Sequence, residues 1–132
     1  MSSHIPTLGP AQVFNLQEAN TLLEVIIKVT KTYYEEVTEL EGKMQRLLLA
    51  DPRRREYQLK FQQLVTEWKR KMEGLGLHVQ GLWRLKFDVG DGYLCWQYPE
   101  LSVSHFLEQN QAWRQRVKLA EYIDFNDPDW AY

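Results

Sequence analysis

His105 and Glu108 are the residues of this sequence whose types and spacing are best suited to chemistry. They lie three positions apart, and on a helix this spacing brings two side chains onto one face, as in the paired ligands of di-iron bundles. Zinc and iron sites need three or four ligands. The other donors, Cys95, His78 and Glu18, follow no diagnostic spacing. A small metal- or ligand-binding enzyme that uses His105, Glu108 and Cys95 is therefore only the alternative hypothesis, and we expect no cofactor.

Cys95 is the one cysteine, so it cannot form an internal disulfide. It lies between Leu94 and Trp96 in an apolar run, where a free cysteine usually packs as a small hydrophobe. A nucleophilic role would need a base beside it. The sequence contains no serine elbow, phosphate-binding glycine loop or cysteine pair. We therefore predict no catalytic residue.

The composition is that of an ordinary globular protein, with 132 residues, 44% hydrophobic and 26% charged. This length fits a single domain, residues 1–132. The longest apolar stretch is interrupted by Glu24 and Lys28, so we expect no membrane span. The N-terminal residues 1–10 lack a secretory signal, which favours a cytoplasmic location. The net charge of −2 makes nucleic acid an unlikely partner for the molecule as a whole.

Two long helices with apolar stripes are predicted before any strand. Asn15 and Glu18 have the spacing of a capping box, which opens a helix at Leu16 within segment 13–50. The apolar spacing then continues for about nine turns, with one open place near Val29 and Thr30. A second helix, residues 51–74, starts at the Asp-Pro pair. The short loop between them predicts an antiparallel helical hairpin.

The predicted helices differ in length, about 51 Å against 33 Å. An apolar stripe on the first helix is thus left without a helical partner, and we expect both the C-terminal half of the chain and a second copy to cover it. The leading hypothesis is therefore a non-enzymatic interaction module that forms a homodimer or binds another protein. The candidate interface residues are Leu16, Leu22, Leu23, Ile26, Trp113 and Trp130.

The apolar period changes to two after Leu82, which predicts a β-rich segment over residues 82–105. A glycine-rich turn at 90–92 joins two strands, and residues 101–105 are the candidate third strand. Residues 106–132 form a C-terminal segment whose first part is compatible with a short helix. The predicted fold class is thus α+β, a long antiparallel helical hairpin with a small antiparallel β-hairpin or three-stranded sheet.

Two basic clusters and five tryptophans leave alternatives open. The basic clusters could bind phosphate groups, or they could pair with the acidic run on the first helix or on a second subunit, which the acidic pI favours. The tryptophans could fill the core or form an exposed aromatic surface. The clusters are Arg53, Arg54 and Arg55 with Lys60, and Lys69, Arg70 and Lys71; the tryptophans are Trp68, Trp83, Trp96, Trp113 and Trp130.

Three motifs together resemble the uncharacterised prokaryotic domain-of-unknown-function family numbered 2203. They are the segment from Phe14 to Asn20, the Leu94-Cys95-Trp96 triplet, and Glu108 shortly after it. The resemblance covers residues 13–116 and implies a helical pair with a small sheet, but no established activity. Members of that family typically carry a Trp-His-Glu-x-Asp segment at this place. Here Leu107 and Asn110 stand at the histidine and aspartate positions, which implies a degraded or repurposed site.

Overall fold

The computed structural model describes residues 12–132, which form helices and one antiparallel sheet. The elements follow the chain in the order α1, α2, five strands and α3. Their bounds are α1 Leu16–Gln45, α2 Arg53–Gly74, β1 His78–Gly81, β2 Arg84–Asp88, β3 Gly92–Gln97, β4 His105–Glu108, β5 Val117–Lys118 and α3 Leu119–Asn126. The predicted α+β class is therefore confirmed. None of the helices in this part of the chain is long and apolar enough to cross a membrane.

The N-terminus of α1 has the predicted capping box. The Asn15 side chain accepts a hydrogen bond from the Glu18 backbone at 2.7 Å, and the Glu18 carboxylate accepts one from the Asn15 backbone at 2.9 Å. These two bonds satisfy backbone donors that a helix start otherwise leaves without partners. The helix consequently begins at Leu16, as its sequence predicted.

The loop between the helices is longer than expected, because α1 ends at Gln45 rather than near residue 50. The Arg54 guanidinium, at the start of α2, donates hydrogen bonds to the carbonyl oxygens of Met44 and Leu47. These bonds satisfy carbonyl groups that have no backbone donor where α1 ends. Asp51 accepts a hydrogen bond from the Arg53 backbone at 2.9 Å and so acts as the predicted acceptor at the start of α2.

A buried hydrogen bond fixes the register of the hairpin. The Trp68 indole N–H donates to the Thr30 hydroxyl at 2.9 Å, and both side chains are fully buried. Thr30 stands at the open place in the apolar stripe of α1. Pairing the two helices about a turn near Asp51 predicts Trp68 beside Tyr33 or Tyr34, so the observed register is shifted by about one helical turn. The position that lacked an apolar residue is the one that holds the acceptor for the tryptophan.

The acidic run of α1 and the basic residues of α2 do not form the expected ion pairs. Within residues 12–132, the salt bridges are Glu39 with Lys43 and Asp51 with Arg53, and neither joins α1 to α2. The packing of apolar side chains and the Trp68 hydrogen bond, rather than ion pairs, hold the two helices together.

The sheet has five strands in the order of the chain, each antiparallel to the next, instead of the two or three expected. The β2–β3 hairpin lies where the alternating pattern predicted it. The strand expected at residues 101–105 is instead β4, which begins at His105 and pairs with β3. The two remaining strands were missed because β1 and β5 contain only four and two residues, too few for a period of two to be visible.

One face of the sheet, the inner face, packs against the helices. Its side chains belong to the same core cluster as Ala19, Leu23 and Ile26 of α1. The chain itself thus covers the stripe of α1 that the length difference left open, and the expected contribution of a second copy is not needed there. The buried residues of the inner face are Leu85, Phe87, Leu94, Trp96 and Phe106.

We predict that Thr30→Val destabilises the protein by about 1–3 kcal/mol, because it leaves the buried Trp68 N–H without an acceptor in a side chain of similar shape. Chemical denaturation with urea measures the change. The exposed Thr32→Val is the matched control and should stay within about 0.5 kcal/mol of the parent. An equal cost of Thr30→Val in the Trp68→Phe background would show that the hydrogen bond is not the cause.

We predict opposite effects of alanine at two glycines. A Cβ at Gly92 would overlap the Leu107 carbonyl oxygen, so Gly92→Ala should destabilise the sheet by about 1–3 kcal/mol. A Cβ at Gly74, the last residue of α2, meets nothing within 4 Å, so Gly74→Ala should stabilise by about 0.4–1 kcal/mol. Thermal unfolding of both variants tests this pair, and a stable Gly92→Ala protein contradicts the close approach of β3 and β4.

Candidate functional site

His105 and Glu108 do not share a helical face, because both lie on strand β4. Residues three apart on a strand point to opposite faces of the sheet. His105 pairs with Cys95 on the face that points away from the helices, which we call the outer face. Glu108 pairs with Gly92 on the inner face. The expected juxtaposition of the two donors is therefore wrong. Residues 105–108 form a strand and not a helix because Phe106 joins the core beside Leu94.

A hydrogen-bonded chain that the sequence did not reveal surrounds His105. The Ser104 hydroxyl donates to Glu100 at 3.3 Å, and Ser104 Oγ lies 2.9 Å from His105 Nδ1. In a Ser-His-Asp triad the carboxylate contacts the histidine, whereas Glu100 contacts the serine. These contacts orient the β3–β4 connection and do not have the order of a catalytic triad.

Cys95 lies on the outer face of β3 between Lys86 and His105, and it is fully buried. Burial raises the pKa of its thiol from the ordinary value of 9.0 to about 12, although the nearby positive charges of Arg116 and Lys86 oppose this shift. A thiol with so high a pKa holds its proton at neutral pH and is a poor nucleophile. Among residues 12–132, no three metal-donor side chains of the histidine, cysteine, aspartate and glutamate types come together.

Half of the interface residues proposed from the sequence lie inside the protein. Leu23 and Ile26 are buried in the helix–sheet core, and Trp130 is buried in a stack with Phe106 and Tyr122. These side chains are covered by the chain's own sheet and C-terminal segment, so their assignment to a surface is wrong. Leu16, Leu22 and Trp113 are only partly buried.

Trp113 lies on the outer face of the sheet between two arginines. The Arg116 guanidinium is 4.4 Å from its ring centroid, and that of Arg84 on β2 is 5.6 Å away. Because Trp113 follows β4 and Arg84 belongs to β2, the ring extends over the intervening β3. The one sign of this arrangement in the sequence is the alternation of basic and apolar residues along β2.

The basic clusters of α2 are partly engaged within the chain. Arg53 pairs with Asp51 at 2.7 Å, and this hydrogen bond lowers the pKa of the Asp51 carboxyl to about 2. Arg54 binds the end of α1, and Lys71 Nζ lies 5.2 Å from the centroid of the Tyr33 ring. The arrangement explains part of the positive charge at the helix start without an external partner.

The hairpin extends past the sheet as an arm, which we define as residues 35–65. Three of its residues are buried, Val37, Leu40 and Leu64, and all three lie along the seam of the two helices. At the tip, Leu48 and Leu49 expose 81% and 89% of their surface. Beside them is an open cleft of about 500 Å³. The cleft is lined by Glu41, Met44, Gln45, Arg54, Gln58, Phe61 and Gln62.

These features define an α+β protein in which a two-helix hairpin supports one face of a five-stranded antiparallel sheet. The chain belongs to the family described as "Uncharacterized conserved protein (DUF2203)", which matches residues 12–119. The resemblance drawn from the three motifs is therefore confirmed. Neither the curated proteins nor the solved structures include a match to this chain.

We predict that Cys95 is unreactive in the folded protein. A pKa of about 12 instead of 9.0 lowers the thiolate fraction of Cys95 at pH 8 by roughly a thousandfold, and burial adds a steric barrier. A coloured disulfide reagent at pH 8 should therefore modify the native chain slowly, but label one thiol per chain in guanidinium chloride. Fast labelling of the native protein would contradict the buried position and restore Cys95 as a candidate nucleophile.

Proposed function

We propose that the protein is a non-enzymatic interaction module that self-associates through the tip of its arm. The observation that carries this proposal is the pair of exposed leucines at the tip, together with an open cleft between the end of α1 and the start of α2 that has two apolar walls. Leu48 and Leu49 are among the most exposed large apolar side chains of residues 12–132, and they are adjacent in sequence. Removing a leucine side chain from water stabilises an association by about 1.5–3 kcal/mol.

The tip carries both a protrusion and a matching cleft, which suits a second copy of the same chain. In a two-fold dimer the same surface patch of both copies forms the interface. That patch must therefore carry both the protruding side chains and the cleft that receives them. Leu48 and Leu49 supply the protrusion, while Met44 and Phe61 supply apolar walls in the cleft. Two arms that meet tip to tip can therefore each insert leucines into the cleft of the other.

The charges of the arm also favour a second copy. Glu35, Glu36 and Glu41 are exposed on α1, and Arg55 and Lys60 are exposed on α2. Within the described chain no salt bridge joins the two helices, so these groups are available to a partner. When α1 of one copy lies beside α2 of the other, opposite charges face each other twice, which sets the orientation more than the affinity.

The alternative hypothesis, a small metal- or ligand-binding enzyme, is not supported by the positions of its residues. His105 and Glu108 occupy opposite faces of the sheet, and Cys95 is buried with a raised pKa. A cytoplasmic location and a single domain over residues 1–132 remain part of the proposal. The common core cluster, which joins residues from Phe14 to Trp130, supports the single domain.

The test is the oligomeric state of the full chain, measured by sedimentation equilibrium from about 10 to 200 µM. We expect a monomer–dimer equilibrium in the parent protein. The double variant Leu48→Gln, Leu49→Gln should weaken it at least tenfold, since it replaces the two protruding side chains by polar ones. Both leucines are exposed, so the free energy of unfolding should change by less than about 0.5 kcal/mol.

Leu101→Gln is the matched control, because Leu101 is 86% exposed but lies between β3 and β4, away from the arm. It should dimerise like the parent. A parent chain that remains monomeric at 200 µM would disprove self-association. Equal weakening by Leu101→Gln would show that general hydrophobicity, and not the tip, drives the association.

A further inference from the structure

We propose that the outer face of the sheet binds single-stranded nucleic acid, with its cations on the phosphates and its aromatic rings beside the bases. The proposal rests on a concentration of positive charge that the sheet register creates, and it is independent of the arm. The cationic side chains of this outer face are Arg84 and Lys86 on β2, Arg116 before β5, and Lys118 on β5.

The register places these charges on one surface although they are far apart in sequence. Directly paired residues of neighbouring strands share a face. Lys86 pairs with Cys95, Cys95 with His105, and His105 with Lys118, so one row crosses four strands. His78 of β1 pairs with Lys86 and extends the row to the fifth strand. At about 4.8 Å per strand the row is roughly 19 Å long.

Two aromatic rings hold cations on this face. The Lys86 ammonium lies 4.3 Å from the Tyr93 ring centroid, and Arg84 and Arg116 flank the Trp113 ring. Cation–π contacts fix the positions of the charged groups without neutralising them. In the described part of the chain, none of these cations has a carboxylate within 4 Å. The Trp113 indole N–H is also buried without an acceptor there.

The acidic groups do not cancel this charge. Asp88 lies on the same face as Lys86, but at the far end of β2. Its Oδ1 accepts a hydrogen bond from the Gly90 backbone. Glu100 lies at the other end of the face and accepts hydrogen bonds from Gln97 and Ser104. Both carboxylates are thus at the margins, bound to their own loops.

The shape of the face favours a polymer over a small anion. The four cations are spread from β2 to β5, over three strand spacings or about 14 Å, with aromatic rings among them. This spread matches the way proteins bind single strands, by phosphate contacts and base stacking. The stacking rings point to a single strand rather than a duplex, whose bases are already stacked.

The experiment is fluorescence anisotropy of the full chain with labelled 20-nucleotide single-stranded RNA, single-stranded DNA and duplex DNA, from 50 to 200 mM KCl. The face variant is Arg84→Gln, Lys118→Gln, which changes two exposed residues. The matched control, Lys69→Gln, Arg70→Gln, removes the same charge from exposed positions on α2. Circular dichroism confirms that each variant is folded.

We expect the parent to bind both single strands more tightly than the duplex. In the face variant, the slope of log affinity against log salt should fall by about 1.4, since each phosphate contact to a single strand contributes about 0.7. Affinity at 0.1 M KCl should fall about twentyfold. Tyr93→Leu should weaken binding roughly fivefold to a hundredfold and leave the slope unchanged, because it removes stacking but no charge.

Three results would overturn the proposal. One is no binding at 100 µM protein in 50 mM KCl. Another is an equal loss in the α2 control, which would assign the binding to general charge. The third is tighter binding of the duplex than of either single strand. The arm variant Leu48→Gln, Leu49→Gln should bind nucleic acid like the parent when the two are compared at equal chain concentration.

Discussion

The hydrogen bond between the Trp68 indole and the Thr30 hydroxyl is the contact on which the rest of the structure depends. An indole buried without an acceptor costs free energy, so the two helices pack in the register that brings it to Thr30. The same ring packs edge-on against Trp83, at a centroid distance of 4.9 Å. Trp83 immediately precedes β2 and has a positive φ of 67°. One side chain therefore sets both the hairpin register and the position at which the sheet meets it.

Apolar spacing was sufficient to predict the helices, because each buries one stripe over many turns and the capping residues mark their ends. It could not predict Thr30 as the acceptor, since the sequence shows only a gap in the stripe. The short strands β1 and β5 were invisible for a related reason. A strand of two or four residues is stabilised by its neighbours' backbone groups, and those neighbours are known only once the chain is folded.

The candidate sites were predicted less well than the fold, and the cause is the same. Two residues three positions apart share a face on a helix but point to opposite faces on a strand. An error in the secondary structure predicted at His105 therefore moves Glu108 from the same face to the opposite one. Burial follows from tertiary packing in the same way. Leu23 and Ile26 extend past the shorter helix, but the sheet and the C-terminal segment supply their partners. A length difference between two helices thus shows that an apolar stripe of the longer helix needs a further partner, but not which part of the chain supplies it.

Net charge is a poor guide to the partners of a sheet protein, because strand pairing sorts charges by face. The chain has a net charge of −2, yet Lys86 and Lys118 share a row with no acidic residue in it. The acidic C-terminal segment packs on the other side, where Tyr122 and Trp130 stack with the inner-face Phe106. At physiological ionic strength the Debye length is about 8 Å, so charges on opposite sides of the sheet are largely screened from each other. A polyanion near the outer face therefore responds to the local positive charge, and the acidic pI of the whole chain does not exclude its binding.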